Sequence, residues 1–487
     1  MSVSSDYMKA MIESYIRKQL LEFPSIINKK LSCKNNKIMN KRDDYNEITK
    51  RIDDFLNLKS EERFFALPGL RGVGKTTLLY QTYEYLTKEK NLNPHDVLYI
   101  SCEKLNSVGD VNIYNIIEIF LEKYHNTNIM LLDKPIFILI DEAHYDKNWA
   151  LHGKIIYDES PNIFMLITGS SSLHLNFNAD AARRLKLQSI LPLSYSQHLN
   201  LKYDYQTDIS NDIKDLILNG KYEKAQEKES QIKQDIENIK NYTLNDWDNY
   251  FKYGAFPSTL HKKERRDIQS ELWSVISKII SQDMANEYNL TNDLQNYTFR
   301  LLVFLASQKP GDISQGKIAA NLNTSKSKVN SILSTLEKTQ LVFHYEAYGG
   351  ASKRVRKSWK YYLATASIKN SINEEYGITI QDKTDYEGIL LENLVASSLY
   401  KISYNGEFPF FNIYYDGDKG GVDFIIQKHF QKPIPIEVGI GQKDNKQIKK
   451  AINKFDAEYG IIISNKEEGI EKKNDIIYVP PKTFSLL

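Results

Sequence analysis

The stretch FFALPGLRGVGKTTLLYQTYEYL, residues 64–86, decides the fold. Phe64 to Leu67 is an apolar run of strand type. Gly69-Leu70-Arg71-Gly72-Val73-Gly74-Lys75-Thr76 follows and matches the pattern G-x-x-x-x-G-K-[ST]. A helical period begins at Thr77, with Leu78, Leu79, Thr82 and Leu86 on one side. Strand, glycine-rich loop and helix in this order make a cradle for phosphates. Glycine tolerates backbone conformations that let successive N–H groups point at an anion, and the helix N-terminus adds partial positive charge. Lys75 would reach the outer phosphates of a nucleotide, and the Thr76 hydroxyl would ligate magnesium.

Such a cradle needs a carboxylate for the metal, and Pro135-Ile-Phe-Ile-Leu-Ile-Asp141-Glu142-Ala-His144 supplies it. The apolar run has the character of a buried parallel strand, which presents functional groups at its carboxyl end. Asp141 would hold magnesium through water, and Glu142 would act as general base on the attacking water. Two further strands fit: Asp96 to Cys102, and Asn162 to Thr168 with the polar tail Gly-Ser170-Ser-Ser. Thr168 and Ser170 are placed to sense the terminal phosphate. Arg183 and Arg184 follow the last of these strands. Either could stabilise transition-state charge in a neighbouring copy; a surface salt bridge is the plain alternative.

These features sit in a chain of 487 residues, too long for one core, so several domains are expected. Apolar residues at 41% and charged residues at 26% are ordinary for a globular protein. No apolar run reaches the roughly 18 residues a membrane span needs. Neither a secretory signal nor a cysteine framework is evident, so a cytoplasmic location without membrane contact is expected.

The succession DEAH, ITGSSS, ARR, LPLSYSQHL and YGAFPSTL resembles the archaeal and bacterial AAA-type ATPases that carry the domain of unknown function 4143. The similarity runs from about residue 45 to about residue 475. It implies an α/β core with a P-loop, a helical lid, a winged helix and a nuclease-like C-terminal fold. The chain departs from the family pattern with Ala182-Arg183-Arg184 and with His198, where the family tends to have Gly-Arg and Glu. The expected divisions are an N-terminal helical segment (1–45), the ATPase core (46–200), a lid with a charged insertion (201–290), a winged helix-turn-helix (291–370) and a PD-(D/E)XK-like α/β domain (371–487).

Within 204–250, EKAQEKESQIKQDIENIK is charged with a helical period, and a solvated helix is expected there, with a partner-binding helix as the alternative. From Lys309 to Lys369 there are eleven Lys or Arg against three acids, a local charge of +8 in a chain of +2. Helical segments followed by strand, glycine turn, basic run and strand point to a winged helix. Lys326 and Lys328 would open its recognition helix, and Lys353, Arg354, Arg356 and Lys357 would lie on the wing, facing DNA phosphates. A winged helix that packs against protein is the alternative.

Toward the C-terminus, GILLENLVASSLYK presents Glu392, a strand pair ends in Asp423, and PIPIEVGI carries Glu437. Helix Glu, strand Asp, strand Glu-X resembles the PD-(D/E)XK nucleases and implies a second magnesium shared by Glu392, Asp423 and Glu437. The usual lysine is replaced by Gly439, with Gln442 and Lys443 just downstream. The expected protein is thus a magnesium-dependent ATPase that associates with DNA. Its nuclease-like end would grip rather than cut. A subunit arginine finger would imply a homo-oligomer. The alternatives are an ATP-gated endonuclease and a scaffold ATPase that binds protein.

Overall fold

A computed structural model describes residues 5–32, 39–106, 109, 112–170, 183–285, 291–309, 311–378, 382–404, 411–441 and 445–487. The chain divides into two units, Met1–Ile190 and Leu191–Leu487.

The first unit is built on a parallel sheet of β1 (Phe64–Pro68), β2 (Val97–Ser101), β3 (Ile136–Asp141), β4 (Ile163–Gly169) and β5 (Lys186–Leu187), in the order β2-β3-β4-β1-β5. Strands β1 to β4 are buried along their whole length. That burial explains their unbroken apolar runs, since a parallel sheet is covered on both faces. The flanking helices are α1 (Ser5–Leu31), α2 (Asp43–Leu56), α3 (Lys75–Glu84), α4 (Cys102–Asn106), α5 (Ile113–His125) and α6 (Trp149–Glu159). Helix α3 starts at Lys75, two residues earlier than its apolar period suggests, because Gly74 turns into it with φ of +100°.

The second unit opens with α7 (Tyr195–Tyr203), α8 (Ile209–Asn219), α9 (Glu223–Glu237), α10 (Asn245–Tyr253) and α11 (Arg265–Lys278). Then come α12 (Asn292–Ser307), β6 (Asp312–Ile313), α13 (Gln315–Leu322), α14 (Lys326–Lys338), β7 (Val342–Ala347), α15 (Ala351–Arg356) and β8 (Trp359–Leu363). Ser325 caps α14 by accepting from Lys328 N–H. The remainder is α16 (Ala366–Glu375), α17 (Lys383–Tyr404), β9 (Phe411–Tyr415), β10 (Phe424–Lys428), β11 (Ile434–Val438), α18 (Lys446–Phe455), β12 (Gly460–Ile463), β13 (Glu471–Lys473) and β14 (Ile476–Val479). One sheet collects all these strands in the order β13-β14-β12-β11-β10-β9-β7-β8-β6. Strand β7 pairs in parallel with β9, Glu346 opposite Tyr414, so the β7–β8 hairpin extends the C-terminal sheet.

The basic run 351–356, in the connection between β7 and β8, is the short helix α15. Two sequence expectations change here. Asp423 lies just before β10 rather than at the end of a strand, because residues 416–423 form the turn between β9 and β10. The charged insertion is a helix solvated on one face only. Ala225, Glu229, Ile232 and Ile236 form a buried stripe on α9. This stripe belongs to a core that also holds Tyr195 of α7, Leu391 of α17, Ile436 of β11 and Phe484. Glu229 accepts from the Ile470 N–H at 2.6 Å and from the Thr483 hydroxyl. The polar face of the helix misled because its apolar positions are few and its buried acid looks like a surface one.

Candidate nucleotide site

The loop 69–74 joins β1 to α3. A side chain at Gly69 would put its Cβ 2.3 Å from the Ile190 carbonyl oxygen, and Gly72 and Gly74 have φ of +84° and +100°. Glycine is required at the first position by space and at the other two by backbone conformation. Lys75 is buried, and its ammonium donates to the Gly69 and Leu70 carbonyls at 2.8 and 3.1 Å. The lysine thus lies folded along the loop it would leave to reach a phosphate.

Asp141 ends β3 beneath the start of α3. The Thr76 hydroxyl contacts both of its carboxylate oxygens at 3.0 Å. Tyr99 donates to Oδ2 at 3.0 Å and Thr168 to Oδ1 at 2.6 Å. Burial, then the charge of Glu142, pushes the Asp141 pKa up, and these three hydroxyls oppose the rise. Glu142 takes φ of +56°, a left-handed conformation uncommon outside glycine, and its N–H donates to Thr168 Oγ1 at 3.1 Å. Its Oε2 lies 3.3 Å from His144 Nδ1. Ser170 is buried at the end of β4.

Lys75, Thr76, Asp141, Glu142 and Thr168, expected from motif spacing, are therefore brought together at the carboxyl ends of β1, β3 and β4. These residues fit magnesium–ATP. They combine a glycine loop that side chains would fill, a lysine with loop-only partners, and a hydroxyl–carboxylate pair. Arg184 is drawn instead to Asp158 of its own chain, and Arg183 is exposed.

Several contributors were not legible in the sequence. The buried Arg42 donates to the Val73 carbonyl at 2.6 Å and pairs with Asp44 at 2.9 Å, bracing the loop from the segment before α2. Phe23 of α1 stacks on Tyr99 with centroids 4.1 Å apart, and Tyr15 accepts from Ser101 N–H at 2.7 Å. No local pattern marks these residues, since each is far from the loop in sequence.

In the second unit, Glu392 and Asp423 both approach Lys360 of β8, while Glu437 is fully buried on β11. Among the described residues no group of three His, Cys, Asp or Glu side chains is arranged to hold a metal ion. The expected magnesium shared by Glu392, Asp423 and Glu437 therefore has no such cluster behind it. Lysine, a residue type that cannot ligate while protonated, stands against two of the three acids. Gln442 and Lys443 lie outside the described residues.

The basic surface is also smaller than the charge count suggests. Lys369 is buried, donates to the Leu305 carbonyl at 3.1 Å, and is pushed down to about 8 by burial. Lys328 pairs with Asp293 at 2.9 Å, Lys353 with Asp418 at 3.5 Å, and Arg354 with Glu346 at 3.8 Å. Lys357 donates to the Gly417 carbonyl and Arg356 to that of Ser352. Lys326 is exposed at the start of α14.

A parallel sheet of this order with a glycine loop, a buried lysine and a hydroxyl–carboxylate pair defines a P-loop ATPase domain, here followed by a separate C-terminal sheet domain. An AAA domain model matches residues 61–199, a model for the domain of unknown function 8612 matches 244–379, and one for the domain of unknown function 4143 matches 387–484. The chain belongs to the AAA-type P-loop ATPases that carry the domain of unknown function 4143. It is 30% identical over 478 residues to the uncharacterized protein MJ1637 of Methanocaldococcus jannaschii, covering 98% of this chain and 94% of that one. Among solved structures it is similar to the Walker-type ATPase PABY2304 of Pyrococcus abyssi, at 12% identity and a TM-score of 0.38 over 69% of this chain and 96% of that one. It is also similar to AMPPCP-bound DnaA from Aquifex aeolicus, at 14% identity and a TM-score of 0.25 over 64% and 92% of the two chains. No helix among the described residues is long and apolar enough to cross a membrane.

Proposed function

We propose that the protein is a cytoplasmic, magnesium-dependent ATPase that works as a molecular switch and associates with DNA through its second unit. The contact of Thr76 with both oxygens of Asp141 carries this conclusion, because it brings a hydroxyl and a carboxylate to the mouth of the glycine loop. ATP would be gripped by the amides of residues 69–77 and by Lys75. Bound magnesium, held by Thr76 and Asp141, would offset charge on the phosphates. Glu142 would take a proton from the attacking water, with Thr168 fixing the backbone that presents it. Thr168 and Ser170 would register the terminal phosphate. Arg183 is the better finger for a neighbouring copy, since Arg184 is held by Asp158.

The DNA-facing surface is best placed at the start of α14, where Lys326 is exposed in the position of a recognition helix. Lys353, Arg354 and Lys357 would contribute less than a free wing, being engaged with the β7–β9 region. The nuclease-like domain would act as a platform that grips.

Phosphate release by the full chain tests the ATPase. Lys75→Ala should reduce it to background; unchanged turnover would refute the proposed role of the loop. A plasmid gel with ATP and manganese tests the rest. A mobility shift without nicking is expected, whereas nicking that vanishes in Glu437→Ala would establish the ATP-gated endonuclease instead.

A further inference from the structure

We propose that Lys360 is the resident cation of the acidic centre in the second unit, standing where a divalent metal ion would otherwise sit. Its Nζ lies 3.4 Å from Glu392 Oε1 and 3.9 Å from Asp423 Oδ1, and its side chain is 12% exposed. The carboxylates are also fixed by other donors. The Tyr362 hydroxyl donates to Glu392 Oε1 at 2.8 Å, and the Val438 N–H donates to Asp423 Oδ2 at 2.9 Å. Glu437, 1% exposed on β11, adds its charge to the same ammonium.

Two carboxylates from separate segments approach one place at low cost only if a cation lies between them or one keeps its proton, and the ammonium of Lys360 lies between Glu392 and Asp423. Here that cation is covalently part of the chain. Lys360 and Tyr362 are two apart on β8, so both side chains leave the same face of the sheet and meet Glu392 of α17. The lysine comes from the segment matched by one family model and the acids from the segment matched by the next. The sheet makes this possible, because β7 joins the β7–β8 hairpin to β9. Lys360 therefore supplies one positive charge at the centre where Gly439, standing where the nuclease pattern has lysine, supplies none. A divalent ion would have to displace the ammonium from the same oxygens, and Lys360 fastens the hairpin to the nuclease-like sheet.

The experiment is manganese titration of the full-length chain, followed by electron paramagnetic resonance. Asp141→Asn silences the first unit and nucleotide is left out, so failure of the ATPase proposal would not affect the result. No stoichiometric manganese binding is expected. In the same background Lys360→Met should create one manganese site, which Asp423→Asn removes. Binding of one manganese ion while Lys360 is present, lost on Asp423→Asn, would overturn the proposal. Thermal unfolding gives a second measurement that does not need the metal. Lys360→Met should lower the Tm by about 5 °C or more, as expected when one partner of a buried ion pair is removed. Lys360→Met with Glu392→Gln should recover part of that loss. Simple addition of the two losses would show that the ammonium and the carboxylate are not coupled, and the proposal would fail. If Lys360→Met does not fold, the titration with Lys360 intact decides by itself.

Discussion

The ring of Phe23 lies 4.1 Å from that of Tyr99, with the planes 16° apart, and the Tyr99 hydroxyl donates to Asp141 at 3.0 Å. An aromatic side chain of the N-terminal helix is thereby one residue removed from the carboxylate expected to hold magnesium. Phe23→Ala should cost about 3–5 kcal/mol of stability, as for other buried aromatic truncations. Tyr99→Phe keeps the stack and removes one hydrogen bond, for about 1 kcal/mol. Its effect on ATP turnover should therefore exceed its effect on unfolding. Comparing chemical denaturation with phosphate release for both variants checks the distinction. Equal activity in Tyr99→Phe and the natural chain would show that Tyr99 only packs.

Gly69→Ala should weaken nucleotide binding at least tenfold. The added methyl meets the backbone of Ile190 at 2.3 Å, and a backbone carbonyl cannot swing aside as a side chain would. Fluorescence anisotropy of a labelled ATP analogue reads this directly. Wild-type affinity would mean that the loop moves to accept the methyl.

His198 provides a pH test. It is buried on α7, its Nδ1 meets the Gly254 carbonyl at 3.1 Å, and burial pushes its pKa down to about 4. An unfolded-chain histidine titrates near about 6.5, so between these values the unfolded state binds more protons than the folded one. Stability contributed by neutral His198 is present above about pH 6.5 and is lost as the pH falls toward 4. The Tm of the full chain should rise with pH across that window, and His198→Asn should show a shallower slope. Identical slopes would mean that His198 titrates alike in the folded and unfolded states.

Glu229→Ala should destabilise the second unit by about 2–4 kcal/mol, because it leaves the buried Ile470 N–H and the Thr483 hydroxyl without their acceptor. A solvated helix would lose less than about 0.5 kcal/mol on the same change. Urea unfolding of the full chain separates the two.

Lys326→Ala should lower DNA affinity on every sequence and reduce the slope of log affinity against log salt by about 1. Lys328→Ala should do less, since Asp293 already neutralises it. Equal effects of the two would place the DNA elsewhere on the second unit.

The nucleotide cradle could be read from the sequence alone because its parts are local. The loop, the lysine and the hydroxyl lie within eight consecutive residues. Asp141 and Thr168 announce themselves at the ends of buried apolar strands. A parallel sheet aligns those strand ends in space, so one-dimensional pattern translates into a site. What only the tertiary structure decided are the relations between distant segments. Arg42 braces Val73, Phe23 backs Tyr99, Glu229 serves Thr483, and Lys360 stands against Glu392 and Asp423. The charge count over 309–369 misjudged a surface because it could not tell half-buried Lys360, buried Lys369 or paired Lys328 from exposed Lys326. A lysine reads the same in sequence whether water or a carboxylate surrounds it. Folding alone chooses between them, by setting the desolvation each charge suffers and the partner that offsets it.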